Sequence, residues 1–296
     1  MFNRREWMTT SAGLAIGGAM QPALGQTKDN PLEFCAFIKF LQDLPYSDLA
    51  RKINELGFDG IEATVRDRGH VLPERVEDDL PRLVEALEKE NLKLTIMASS
   101  VNSTKQPLTE KVLRTAASLG VKRYRLAYLR YDLSRSIPLQ LKEHRETLKD
   151  LAAMNKELGI SGVYQNHAGA TTVGSAIWDL HELLRGISPE EIGVAYDIRH
   201  ATVEGGHNWP LNLELIKPHI GALYVKDFTW KKSGHDAVNV PLGEGRVNPR
   251  FFEIARGFFQ GPVSLHVEYL PAAGIPANLQ AIKADFKTLR ELMSSS

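Results

Sequence analysis

The sequence contains a single cysteine, Cys35, so it can form no intramolecular disulfide and no cysteine-based zinc site. Cys35 lies in an apolar run, where a small core side chain is expected rather than a reactive thiol. Excess charge is missing too. Thirty-six Lys+Arg balance 36 Asp+Glu over 296 residues, which removes the electrostatic drive toward nucleic acid or an anionic membrane surface. No Gly/Ser- or Pro-rich linker divides the chain into domains. The segment Phe40-Leu41-Gln42-Asp43-Leu44-Pro45, which follows the first candidate strand, has no glycine. A dinucleotide-binding turn after that strand is therefore excluded.

At the N-terminus, Arg4-Arg5-Glu6-Trp7-Met8 precedes a weakly apolar stretch from Thr9 to Met20, and Ala23-Leu24-Gly25 offers small residues for cleavage. This reads as a twin-arginine export signal over residues 1–25, with a periplasmic destination and an uncleaved anchor as the alternative. The apolar stretch contains Gly13, Gly17 and Gly18 and falls short of the ~20 residues of a membrane span. No stable membrane insertion is expected once the signal is removed. Removal takes away two arginines and one glutamate, leaving the mature chain with one negative charge in excess. The route carries folded protein, which suits a chain that acquires a metal or cofactor in the cytoplasm.

From residue 26 onward, β-rich apolar runs alternate with amphipathic helical patterns. Strands are expected at 32–40, 60–65, 92–98, 123–129, 161–166, 192–197, 222–227 and 263–268, and helices at 46–56, 80–90, 109–119 and 139–158, among others. Several helices run into a glycine and then a strand, as in Leu56-Gly57-Phe58, Leu119-Gly120-Val121 and Leu158-Gly159-Ile160, the junction of parallel βα repeats. Eight such units predict an α/β chain folded as a single (β/α)8 TIM barrel over residues 26–296, in preference to a doubly wound sheet.

In such a barrel, polar residues at the C-terminal strand ends line the active-site mouth. Those residues are Glu62 after the second strand, Gln165-Asn166-His167 after the fifth, Asp197 to His200 after the sixth, Lys226-Asp227 after the seventh and His266-Val267-Glu268 after the eighth, with Lys39, Arg125, Tyr128 and Arg130 nearby. His266 and Glu268, two apart, share one side of their strand, and the barrel interior is the better place for a carboxylate. Blander readings stand beside these: a helix cap with a surface histidine for Asp197 and His200, and a salt-bridged loop for Lys226 and Asp227. Glu62 is either a binding group or the partner of a cation, with His167 and Arg125 as candidate partners. Trp178, Trp209 and Trp230 are candidates for stacking on sugar faces, although Trp178, at a helix start, is expected to pack. The segment from Ala201 to Trp209 is expected to be a flexible loop over the substrate.

Gly57-Phe58-Asp59-Gly60-Ile61-Glu62, Asn166-His167, Asp197-x-x-His200, Val225-Lys226-Asp227-Phe228, Leu242-Gly243-Glu244-Gly245 and Glu268, in this order, resemble the sugar phosphate isomerase/epimerase family. These are xylose isomerase-like barrels that also include the endonuclease IV branch, and the likeness spans the whole mature chain. It implies a divalent metal (Mn²⁺, Mg²⁺ or Zn²⁺) held by a Glu, an Asp, a His and a Glu, which fall here on Gln165, Asp197, Tyr224 and Glu268. Two of these four positions depart from the pattern, so metal binding stays open. The metal set carried forward is Gln165, Asp197 and Glu268, with His200 or His266 as replacement ligands.

The resemblance further implies isomerase or epimerase chemistry on an unphosphorylated sugar or keto-sugar, by proton abstraction next to a carbonyl. Glu268 is the expected chief base. His167 or His200 is expected to transfer a second proton, and Lys226 to stabilise charge. Glu62, His266 and Trp230 are expected to bind substrate. A carbohydrate-binding protein without activity, and a lyase or hydrolase on a modified glycoside, are the alternatives. A small carbohydrate is the expected partner, with self-association left open. The endonuclease branch, which needs more histidine ligands and a basic groove, does not fit.

Overall fold

A computed structural model describes residues 32–234 and 236–294; the expected export signal at 1–25 lies outside them. Among the described residues there are ten strands: β1 (Glu33–Phe37), β2 (Gly60–Val65), β3 (Lys93–Ser99), β4 (Arg123–Arg125), β5 (Ser161–Gln165), β6 (Ile192–Asp197), β7 (Ile220–Val225), β8 (Asp227–Trp230), β9 (Ala237–Val240) and β10 (Pro262–Leu265). Eight of them close into a parallel barrel in the order β1-β10-β7-β6-β5-β4-β3-β2. Around it run α1 (Tyr46–Leu56), α2 (Val76–Glu88), α3 (Thr109–Ser118), α4 (Ile137–Leu158), α5 (Ile177–Leu184), α6 (Ile198–Gly205), α7 (Trp209–Ile216), α8 (Arg250–Arg256) and α9 (Ile275–Met293). The expected (β/α)8 barrel is therefore the observed fold. No helix among the described residues is long and apolar enough to cross a membrane.

The junction glycines Gly57, Gly120 and Gly159 have φ of 84°, 78° and 66°, the left-handed conformation that ends a helix and turns the chain into the next strand. The structure corrects the expected loop at Ala201–Trp209, which is mostly helical, running through α6 and a 3-10 turn into the start of α7. Asp197 starts this run by accepting the His200 N–H at its N-cap (3.1 Å), so helix formation follows directly from the strand end. The antiparallel pair β8–β9 is an insertion after β7 that the repeat pattern does not show.

Strand alternation separates two apolar regions. Residues such as Val194, Tyr196, Leu223, Val225, Val263 and Leu265 join the large core between strands and helices. A second cluster, Cys35, Ile96, Val163, Ala195, Ala222 and Tyr224, fills the barrel interior. Cys35 is fully buried there, and burial together with the nearby Glu62 pushes its thiol well above the usual range, as suits an inert core residue. Two residues further along the same inward-facing rows stand Gln165, Asp197, Tyr224 and its successor Lys226, so the apolar interior is the floor of a polar mouth.

Candidate active site

The lowest polar layer is built around Glu62, which is fully buried. One oxygen accepts from Tyr224 Oη (3.0 Å), and the other accepts from Ser264 Oγ (2.7 Å) and contacts His266 Nε2 (3.0 Å); Arg125 Nε is 3.6 Å away. Burial opposes ionisation, but His266, Arg125 and these hydrogen bonds outweigh it and hold the carboxyl below its ordinary range. His266 is itself sandwiched, its ring 4.4 Å from those of Phe37 and of Tyr224. The structure thus places Glu62 and His266, expected to bind substrate, under the mouth with each other and with Arg125 as partners.

Arg125 links this layer to the next. Its guanidinium and Tyr128 Oη both donate to Gln165 Oε1, at 2.6 Å each. That fixes the amide orientation, because only an oxygen can accept twice, and turns the Gln165 NH₂ group toward Asp197 Oδ2 (2.7 Å). Lys226 Nζ lies 3.2 Å from the same Asp197 oxygen and 2.8 Å from Glu268 Oε2, while Lys39 approaches Glu268 Oε1 at 3.4 Å. Burial disfavours the Lys226 charge, yet Asp197 and Glu268 more than restore it and keep the ammonium protonated. Burial also acts against the Glu268 carboxylate, and Lys226, His266 and Lys39 overcome it, setting its pKa well below the carboxylate norm. Asn166 completes the strand-end clamp by exchanging two hydrogen bonds with the Asp197 backbone (2.7 and 3.0 Å).

The rings of His167 and His200 lie against each other at a tilt, centroids 3.9 Å apart, and the Tyr128 ring is 4.7 Å from that of His167. Their partners assign different tautomers. His167 Nδ1 is 2.8 Å from the Ala168 carbonyl, which can only accept, so Nδ1 carries the proton and Nε2 keeps a bare lone pair. His200 Nδ1 is 2.9 Å from an Arg199 guanidinium nitrogen, which can only donate, so Nε2 carries the proton. That buried Nε2 has no hydrogen-bond partner among the described residues and stands 3.6 Å from Asp197 Oδ2. Burial first, then the Lys226 charge, depresses both imidazole pKa values, that of His200 far more, so both rings are neutral.

Catalytic candidates Glu268, His200, His167 and Lys226 are therefore brought together, with Asp197 and Gln165 among them. Trp230 is not. It lies in a groove with Thr202, His207, Arg246 and Asn248, a lining that includes none of those residues. Trp178, expected to pack, is 56% exposed on α5. Asp227 is neither ligand nor ion-pair partner. Its carboxylate gathers the backbone N–H groups of Phe228, Gly243, Gly245 and Val247 (2.8–3.1 Å), which explains why a Leu-Gly-Glu-Gly segment accompanies Lys226-Asp227. Arg199 stood in the strand-six run without a role, and Ser264 escaped the sequence reading. The only signal for either was adjacency to His200 or the period-2 row of Ser264, His266 and Glu268.

The donors present do not fit the divalent ion that the resemblance implies. Gln165 offers Asp197 an N–H and has its oxygen occupied, Tyr224 is turned to Glu62, and an ammonium stands between the remaining two carboxylates. Among the described residues no three His, Cys, Asp or Glu side chains form a metal-ligand group.

Residues 50–292 match the family described as xylose isomerase-like TIM barrel. No curated protein matches in sequence. Among solved structures, the chain is similar to the 3-keto-D-glucoside 4-epimerase YcjR of E. coli (TM-score 0.69, 17% identity, 88% of this chain and 99% of that one). It is also similar to D-psicose 3-epimerase of Clostridium cellulolyticum H10 (0.67, 11%, 89% and 99%). A third is the probable 3-DHS dehydratase AsbF of Bacillus anthracis (0.66, 17%, 87% and 98%).

Proposed function

Because the chain belongs to the xylose isomerase-like TIM barrel family, we propose that it is an isomerase or epimerase acting on an unphosphorylated sugar or keto-sugar by proton abstraction next to a carbonyl. One observation carries this reading. At the barrel mouth the neutral His167 ring, with its lone pair on Nε2, lies against the His200 ring (centroids 3.9 Å apart), and the Lys226 ammonium is close enough to depress the pKa of both. A neutral imidazole is a competent base near pH 7, and donors fixed in a buried site favour an oxygen that gains negative charge. His167 takes the proton from the carbon beside the carbonyl, and the C–H electrons move into the enediolate. Its oxyanion is held by Lys226 and His200. Return of a proton to the opposite face of the same carbon epimerises it, and return to the neighbouring carbon isomerises the sugar.

In this scheme Glu268, the base expected from sequence, is the anion that fixes Lys226, its proton affinity lowered by two ammonium groups. Deuterium uptake from D₂O into free ketoses and 3-keto-glycosides, followed by NMR, tests the reading; absence of exchange in every member of both classes would overturn it. Exchange with loss of a substituent would instead make the enzyme a lyase. Export through the twin-arginine route is part of the same proposal, resting on Arg4-Arg5. Periplasmic appearance of an R4K/R5K variant would count against it.

A further inference from the structure

We propose that the Lys226 ammonium is a built-in replacement for the divalent cation, so that the site carries its electrophile as a side chain and works without metal. The inference rests on the sugar reading above for what the electrophile does, but its structural basis is independent of any substrate.

Three features agree. Lys226 Nζ bridges Asp197 Oδ2 and Glu268 Oε2 at 3.2 and 2.8 Å, the two carboxylates left of the four-ligand pattern. Gln165 is neutral and points its N–H₂ at Asp197, so the donor that should face a cation faces a carboxylate, while Arg125 and Tyr128 hold its oxygen at 2.6 Å. Tyr224 donates to Glu62 at 3.0 Å and is fully buried, so the fourth ligand position serves the layer below.

Asp197 and Glu268 are both already in ion-pair contact with the Lys226 ammonium, and a divalent ion added to the present set would lie against that ammonium. Gln165 and Lys226 thus read as two halves of one change, a lost ligand charge and a gained resident cation. Because Lys226 stays protonated throughout, it stabilises the oxyanion without entering proton transfer, as a metal would, but with one charge and no exchangeable coordination position.

The test uses Mn²⁺ alone, titrated into the purified full-length protein and followed by the electron paramagnetic resonance of free Mn²⁺ and by thermal melting. Wild type is expected to show no saturable site below about 1 mM, the weak end of carboxylate sites, and melting unchanged by EDTA. The K226A/Q165E variant, which removes the ammonium and restores the third carboxylate, is expected to bind one Mn²⁺ roughly 100-fold more tightly and to melt higher with it. Stoichiometric Mn²⁺ on wild type that disappears in Asp197→Asn overturns the proposal. So does a folded K226A/Q165E variant with no gain in Mn²⁺ affinity. Should that variant fail to fold, Lys226→Arg keeps the cation, and its expected indifference to Mn²⁺, with wild type, still decides the matter. None of these readouts depends on turnover, so a chain inactive on every sugar would sink the functional reading and leave this one standing.

Discussion

The two ends of the barrel are made by the same eight strands and differ in what those strands point inward. At the N-terminal end a cavity of about 400 Å³ opens among Glu33, Val84, Leu92, Lys93, Thr95, Lys122 and Arg123. It offers room for a ligand, yet its charges do not converge; among the described residues its side chains show a single hydrogen bond, between Thr95 Oγ1 and Glu33 (2.9 Å). At the C-terminal end the polar groups are nearly all buried and hydrogen-bonded to one another through three layers, from Ser264 and Glu62 through Arg125 and Gln165 to Asp197, Lys226 and Glu268. Room for a ligand and preorganised chemistry are separate properties, and it is the second that strand ends supply.

The sharpest way to break this contrast is His167→Gln, which removes the bare nitrogen at the mouth. Deuterium exchange into substrate should fall by about 10²–10⁴-fold while substrate binding changes much less. Unchanged exchange would return the role of base to Glu268, with Glu268→Gln the next variant.

Stability should be as lopsided as chemistry. Arg125→Met strips the cation from Glu62 and the hydrogen bond to Gln165, and is expected to cost about 3–5 kcal/mol in denaturant unfolding. Adding Glu62→Leu should recover part of that loss, because the uncompensated carboxylate goes too; no recovery would mean that the pair is not coupled. One layer down, Val163→Ala removes two methyl groups from the apolar floor and should cost about 1–3 kcal/mol, without moving the exchange rate beyond a few-fold.

Acid should act on the mouth and on the surrounding helices with opposite signs. Glu268 has a lowered folded pKa, so its stabilisation is present above the ordinary carboxylate range and is lost as pH falls through the folded value. Asp179 and Asp285 are pushed up to about 6 by burial. The folded state then holds their protons more tightly than the unfolded chain, and stability falls as pH rises from about 4 to about 6. An Asp179→Asn/Asp285→Asn variant should flatten that part of the melting-temperature profile and leave the loss at lower pH intact; an unchanged slope would show that other groups set it. The smallest effect is expected at the N-terminal cavity, where Lys93→Ala and Lys122→Ala should stay within about 0.5 kcal/mol of wild type and leave exchange untouched. A clear drop in exchange there would relocate the site.

Much of this was legible before any coordinates. The residues that meet at the mouth, Gln165, His167, Asp197, His200, Lys226 and Glu268, were all named from their places at strand ends, because in a parallel barrel chain position and height along the axis go together. Apart from Arg125 beside Glu62, their partners were not legible. Glu62 and His266 are 204 residues apart and Lys226 and Glu268 are 42 apart, and whether they touch depends on strand tilt and register. Trp178 and Trp230 misled for a related reason, since an aromatic ring has the same sequence signature whether it packs, lies exposed or lines a different groove.

Local pattern by itself determined the barrel: period-2 apolar runs, helical amphipathicity and glycines at the helix ends act over a few residues and need no knowledge of the rest of the chain. Only the tertiary structure decided what stands between Asp197 and Glu268. A lysine has a long, flexible stem, and its ammonium settles where two anions have been brought within reach; those anions come from different strands, and only the closed barrel puts them there.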